Sequence, residues 1–204
     1  MNLFEQGLLR YLTKDQLTLI QGHRIGIGGA GGLGSNVAMI LTRSGFKHLE
    51  IIDQDVIDSS NLNRQQYFLA EIGHDKVTVL KKRLLDINPD LDITVHKTQW
   101  SPETGDQYFK NCDFIVEAFD VAEWKHKFVD FYHAKAKFVV SGVGMAGLLE
   151  KKPMKVKQVG NIYFVGDLTT DSALGHPPMA PRVTACAAMM SEIVLDLTLQ
   201  GKIA

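Results

Sequence analysis

Neither sign of charge dominates this chain: 22 lysines and arginines stand against 23 aspartates and glutamates, a net of -1. That balance removes the electrostatic case for nucleic acid or an anionic membrane surface as the main partner. Long apolar runs are also missing. The longest, Ala185 to Met190, is six residues, against the roughly 20 that a membrane-spanning helix needs. Cysteine is scarce: Cys112 and Cys186 can build neither a zinc knuckle nor a disulfide framework, so no zinc is expected. The opening Met1 to Gln6 has no charged segment ahead of an apolar core; no secretory leader is expected, and the chain reads as cytoplasmic. What is present is ordinary for a soluble protein, with 45% hydrophobic and 22% charged residues among 204. One domain over residues 1–204 is the expectation.

Strand-like and helix-like patterns alternate. Thr13-Lys14-Asp15-Gln16 has capping-box form and opens a helix to about Gln21. Arg24 to Ile27 reads as a strand ending in glycines, and Ser35 to Arg43 as a helix with apolar residues on one face. Leu49 to Asp53 is the second strand. Val77, Leu80, Leu84 and Leu85 mark a helix ended by Asn88-Pro89, and Asp92 to Val95 the third strand. Phe114-Ile115-Val116 and Phe138-Val139-Val140 are short continuous apolar runs, as parallel strands covered on both faces require, with a helix from Val121 to Ala134 between them. A hairpin (Met154–Val156 with Asn161–Val165), a loop over 167–181 and a last helix with Val183, Ala187, Met190, Val194 and Leu197 on one side complete the chain. This order predicts an α/β, doubly wound, mostly parallel sheet, with an N-terminal helix and a C-terminal antiparallel hairpin plus helix.

Gly29-Ala30-Gly31-Gly32-Leu33-Gly34 follows the first strand and opens the first helix of the alternating core. Glycines permit the tight turn and let backbone N–H groups face a phosphate at a helix N-terminus. A second register, Gly26, Gly28 and Gly31, also fits; the first is preferred because small Ala38 follows Gly34 by one helical turn. Asp53 ends the second strand, where a carboxylate can accept hydrogen bonds from ribose hydroxyls. A dinucleotide dehydrogenase would satisfy all of this.

The segment after Asp53 separates the readings. Asp53 to Gln65 holds carboxylates, hydroxyls, amides and Arg64, and Lys76 follows twelve residues later. ATP carries more charge than a dinucleotide and recruits arginine, lysine and a divalent metal. Five stretches, Gly28–Gly34, Asp53-Gln54-Asp55-Val56, Ser60-Asn61-Leu62-Asn63-Arg64-Gln65, Ile72–Val77 and Ile87–Leu91, together resemble the sulfur-carrier adenylyltransferases, relatives of the ubiquitin-activating enzymes. Ala180-Pro181-Arg182-Val183 is similar to the start of that family's late helix. Chain length and Asp167-Leu168-Thr169-Thr170 most resemble the short thiamine-branch members, the ThiF family proteins.

The resemblance implies ATP with magnesium, Gly29, Gly31 and Gly34 forming the phosphate loop, Asp53 at the ribose and Asp55 among the nucleotide-binding residues. It places Ser60, Asn61, Leu62, Asn63 and Arg64 along the triphosphate, with Arg64 and Lys76 on its oxygens. Asp120 would be the metal-associated aspartate, although Asp120-Val121-Ala122-Glu123 is itself a capping box. The implied partner is a small ubiquitin-like sulfur carrier whose C-terminal carboxylate is adenylylated. A homodimer is implied as well, with Arg10 as the candidate to reach the partner subunit's nucleotide. Cys186, among alanines in the last helix, reads as a small core residue, so no thioester step is expected. An NAD(P)-dependent oxidoreductase and a non-catalytic nucleotide-binding scaffold are the alternatives.

Overall fold

Strand β1 (Arg24–Gly28) sits near the middle of the molecule, and its alternation sets both faces of the sheet. Ile25 and Ile27 are fully buried against one layer of helices. Gly26 and Gly28 leave room on the other face: a Cβ on Gly28 would stand 2.6 Å from the Phe128 ring. These two glycines therefore serve packing, and the alternative glycine register is explained without a ligand. The computed structural model describes residues 1–136, 138–149, 152–170 and 175–201.

The elements run in order as α1 (Leu3–Leu8), α2 (Lys14–Gln21), β1, α3 (Gly32–Arg43), β2 (His48–Ile52), α4 (Lys76–Ile87) and β3 (Asp92–His96). They continue as α5 (Pro102–Tyr108), β4 (Phe114–Glu117), α6 (Ala122–Tyr132), β5 (Phe138–Gly142), β6 (Lys155–Val159), β7 (Ile162–Gly166) and α7 (Ala180–Leu199). Seven strands form one sheet in the order β3-β2-β1-β4-β5-β7-β6. All neighbours are parallel except β6 and β7. The predicted α/β, doubly wound sheet is present. After β3 the chain crosses back to lay β4 beside β1, and ligands bind at such a switch point, outside the carboxyl ends of the strands.

Each face has its own core. Helices α3 and α7 pack together on one side, with Val37, Leu41, Val183, Ala187, Met190 and Val194 buried. The other side is aromatic: Trp100, Phe109, Phe128 and Tyr132 pack under β4 and β5. Among the described residues no helix is long and apolar enough to cross a membrane.

Two local expectations shift. Ahead of the predicted first helix lies α1, fixed by a reciprocal cap between Asn2 and Glu5. Glu5 is buried and accepts from Lys47 Nζ (3.1 Å) and Gln21 Nε2 (3.0 Å). The hairpin is longer than expected, because Gly160 adopts φ 59°. That conformation suits glycine, so a tight Gly160-Asn161 turn lets Gln158 and Val159 stay in strand β6.

Candidate functional site

A cavity of about 490 Å³ opens at the carboxyl ends of β1, β2, β4 and β5, a size that suits a nucleotide-sized ligand. Its floor is the turn from β1 into α3. Gly29 has φ 101°, a region open chiefly to glycine. A Cβ on Gly34 would collide with the carbonyl oxygen of Gly29. Gly34 therefore does not line the cavity; it lets α3 lie against the turn. Gly31 does line it and caps α3 without any side-chain hydrogen bond. The first amides of α3 are thus left for a ligand at the positive end of the helix dipole.

Asp53 joins the loop to the second strand. Its Oδ2 accepts from Ala30 N–H at 2.6 Å and its Oδ1 from Asp55 N–H at 2.7 Å. Burial pushes the Asp53 carboxyl up, against the pull of those two amides and Lys76. Each oxygen keeps a second lone pair for a ligand hydroxyl. Lys76, first residue of α4, is buried and reaches Asp55 Oδ2 at 2.8 Å. Arg64 is steered by the carbonyl of Ser60 (3.0 Å) and Oδ1 of Asn63 (2.7 Å). Gly29, Gly31, Asp53, Asp55, Arg64, Lys76 and Asp120 all border this one cavity.

Four of the five residues expected along the triphosphate lie outside its wall. Ser60 is exposed, and Asn61 is locked in a reciprocal cap with Asp58. Leu62 packs on the core. Asn63 donates to the carbonyl of Pro178 at 3.0 Å, tying this segment to the loop ahead of α7. They shape Arg64 and the loop instead of touching the cavity. Arg10, exposed in the turn after α1, does not line the cavity of its own chain.

The Asp120 capping box is corrected as well. The residue that caps α6 is Val121, with no side-chain hydrogen bond, and Glu123 pairs with Lys127 at 2.6 Å. Asp120 is left exposed at the cavity rim. Among the described residues no three histidines, cysteines or carboxylates cluster to hold a metal. A single carboxylate still fits magnesium, which is usually held by one or two carboxylates together with substrate phosphates and water.

Sequence reasoning missed the aromatic wall. Trp100 and Trp124 both line the cavity, edge to face with ring centres 6.5 Å apart. One follows β3 and the other lies in α6, so only the sheet order brings them together. Lys125 was missed too; it also borders the cavity.

Both thiols are buried. Burial pushes Cys112 and Cys186 up to about 12, and Cys186 Sγ donates to the carbonyl of Val165 at 3.3 Å. Neither is a thiolate at neutral pH, so neither is a ready nucleophile.

Asp167 anchors the loop between β7 and α7, of which residues 171–174 lie outside the described residues. Burial alone would raise its pKa. Amide and hydroxyl donors from Thr170 and Thr169 outweigh burial and hold the carboxyl at about 2, and Arg182 adds an ion pair at 2.8 Å. A depressed native pKa stabilises above the unfolded value, about 3.9, and that contribution is lost as pH falls through about 2. Asp167→Asn should therefore lower stability at pH 7 and flatten the acid decline between about pH 4 and 2. Urea unfolding at pH 7, 4 and 3 measures it; an unchanged pH profile removes Asp167 as the anchor.

Comparison with known proteins agrees with this frame. A tRNA threonylcarbamoyladenosine dehydratase of Bacillus subtilis is 33% identical over 114 residues, 55% of this chain and 45% of that protein. A probable molybdopterin-synthase adenylyltransferase of Pyropia yezoensis is 43% identical over 93 residues, 45% of this chain and 25% of that protein. The chain thus spans less than half the length of these curated relatives. The E. coli tRNA N6-threonylcarbamoyladenosine dehydratase in complex with AMP has the same fold, with TM-score 0.84 at 21% identity over 98% of this chain and 95% of that one. The ThiF family profile matches residues 5–171. That match runs from the first helix through the glycine turn and both cations to the loop after β7, and the chain belongs to the ThiF family.

Proposed function

We propose that this protein is an adenylyltransferase that activates the C-terminal carboxylate of a small ubiquitin-like sulfur carrier with ATP. The observation that carries the reading is the meeting of Arg64, Lys76 and Asp120 around one cavity floored by the glycine turn. Two cations in the wall of such a cavity support binding of a triphosphate there. The acceptor carboxylate attacks the α-phosphorus; a C–O–P link forms, the bond to the bridging oxygen breaks, and pyrophosphate leaves. A carboxylate is already ionised at neutral pH, so no general base is needed. The protein's task is to bring two anions together and neutralise them. Arg64 and Lys76 do this on the phosphate oxygens, and Asp120 would hold magnesium, which supplies further neutralisation of the triphosphate when bound. An oxidoreductase reading leaves both cations without a role.

The thiamine branch is favoured by Asp167-Leu168-Thr169-Thr170, whose two threonines line the cavity. A cytoplasmic homodimer with Arg10 reaching across is the assembly proposed. A second reading has a specific observation behind it: the similarity to tRNA threonylcarbamoyladenosine dehydratases. There the activated carboxylate would belong to a modified tRNA nucleoside. The near-neutral charge of this chain favours the protein acceptor.

The test is the intact mass of a purified carrier after incubation with protein, magnesium and ATP. The carrier is expected to gain one AMP. The variant with Cys112 and Cys186 both changed to alanine should do the same, assayed below its melting temperature, since each truncation costs stability by about 1 kcal/mol. Tight NAD binding with no adenylylated carrier would overturn the reading. A reducible enzyme–carrier conjugate would overturn the thiol-free chemistry.

A further inference from the structure

Glu117, the last residue of β4, has no exposed surface, yet it carries a carboxylate. Three donor groups make four hydrogen bonds to it: Phe119 N–H on Oε1 at 2.7 Å, Ser141 Oγ on Oε2 at 2.7 Å, and Lys125 Nζ on both oxygens at 3.0 and 2.8 Å. The same ammonium also donates to the carbonyl of Phe119 at 2.7 Å. Lysine has three N–H donors, and all three are engaged. Lys125 borders the cavity but has no proton left for a phosphate.

A buried ion pair is a poor source of stability, because desolvation consumes most of the attraction, and an apolar pair of similar volume often does as well. Its yield here is geometric. Glu117 and Lys125 together hold both backbone polar groups of Phe119, the residue immediately before Asp120. Helix α6 has no side-chain cap of its own, and Lys125 reaches back over its first turn to hold the carbonyl of Phe119 instead.

Resting on the adenylylation reading above, we infer that Glu117 and Lys125 are positioning residues: a charged bracket on the Phe119 backbone, holding its N–H and its carbonyl, that sets the angle at which the Asp120 carboxylate meets a nucleotide-bound divalent cation. The bracket acts through Asp120 and touches no reacting atom. Loosening it costs metal affinity in the nucleotide complex and leaves metal-free nucleotide affinity in place.

Paramagnetic titration of Mn2+ against the full chain saturated with the α,β-methylene analogue of ATP reads this without turnover. Lys125→Met should weaken Mn2+ binding about tenfold and change affinity for the metal-free analogue less than about twofold, as expected of a side chain that orients a ligand. Lys125→Arg, which keeps charge and reach, should recover wild-type binding to within about threefold. Asp120→Asn combined with Lys125→Met should bind Mn2+ no more weakly than Asp120→Asn alone, since both act on one contact. Glu117→Gln, nearly isosteric, takes the place of Lys125→Met if that variant does not fold, with the same expected loss. Wild-type Mn2+ affinity in either variant, or additive losses in the double variant, overturns the bracket while leaving adenylylation standing. A wild-type protein that takes up no Mn2+ with nucleotide overturns both.

Discussion

Arg64→Ala and Lys76→Ala are each expected to slow ATP–pyrophosphate exchange by about 30-fold to 1,000-fold, the loss of about 2–4 kcal/mol that follows when a charged donor is removed from a water-poor site. The two losses should differ in kind. Arg64 is held by Ser60 and Asn63, so its removal deletes a donor and little else. Lys76 neutralises Asp55. Without it, a bare carboxylate borders the cavity and repels a triphosphate. The Lys76→Ala loss should therefore be the greater, and changing Asp55 to alanine as well should restore part of the rate. Exchange within twofold of wild type for both single variants would remove these cations from the site, and a double variant worse than Lys76→Ala would remove the role given to Asp55.

Gly34→Ala is expected to abolish measurable ATP binding and lower the melting temperature. The added methyl collides with the carbonyl of Gly29, a backbone atom that cannot turn aside as a side chain can. Overpacking typically costs about 1–3 kcal/mol, and relief here requires α3 to lift from the turn that forms the cavity floor. Gly31→Ala is the matched control. Gly31 has φ -80°, outside the left-handed region, and a Cβ there would meet only Gln65 Nε2 at 3.8 Å. That variant should melt within about 1 kcal/mol of wild type yet bind ATP weakly, because its methyl narrows the cavity. Calorimetric melting together with nucleotide titration separates the packing glycine from the binding one. Equal stability and equal affinity in both variants would show that the loop is not where the phosphates go.

The alternating frame was legible because each element carries its own period. The last helix illustrates it: Val183, Ala187, Met190, Val194 and Leu197, spaced as one face, are all buried. The Gly29–Gly34 turn and Asp53 were legible because the chemistry that joins them is local, one strand and one helix long. Trp100 and Trp124 were not, since an isolated aromatic has no period and their meeting depends on β4 returning to lie beside β1. Glu117 gave no signal either: the chain shows a strand ending in an acid, and only tertiary structure shows the ammonium and hydroxyl that satisfy it. The capping box that also fits Asp120 to Glu123 does not form, because α6 is entered at Val121; Asp-x-x-Glu spacing is shared by caps and by acids at a strand's end. Asn2-x-x-Glu5 had the same spacing and does cap α1, a signal that was present and passed over.

The return of β4 to the side of β1 also bears on how the chain reaches its native state. Ile25 lies beside Phe114, and α7, near the far end of the chain, packs on α3. Such distant pairings raise contact order and slow folding, because loop closure must precede the contacts that reward it. A nascent chain carrying only β1, β2 and β3 holds the glycine turn and Asp53 but no opposite wall. The apolar face of α3 stays uncovered until residues near 190 have been made. The proposed nucleotide site is therefore complete only once α7 has been made, and the unfinished sheet, open along β1, is the form most exposed to mispairing.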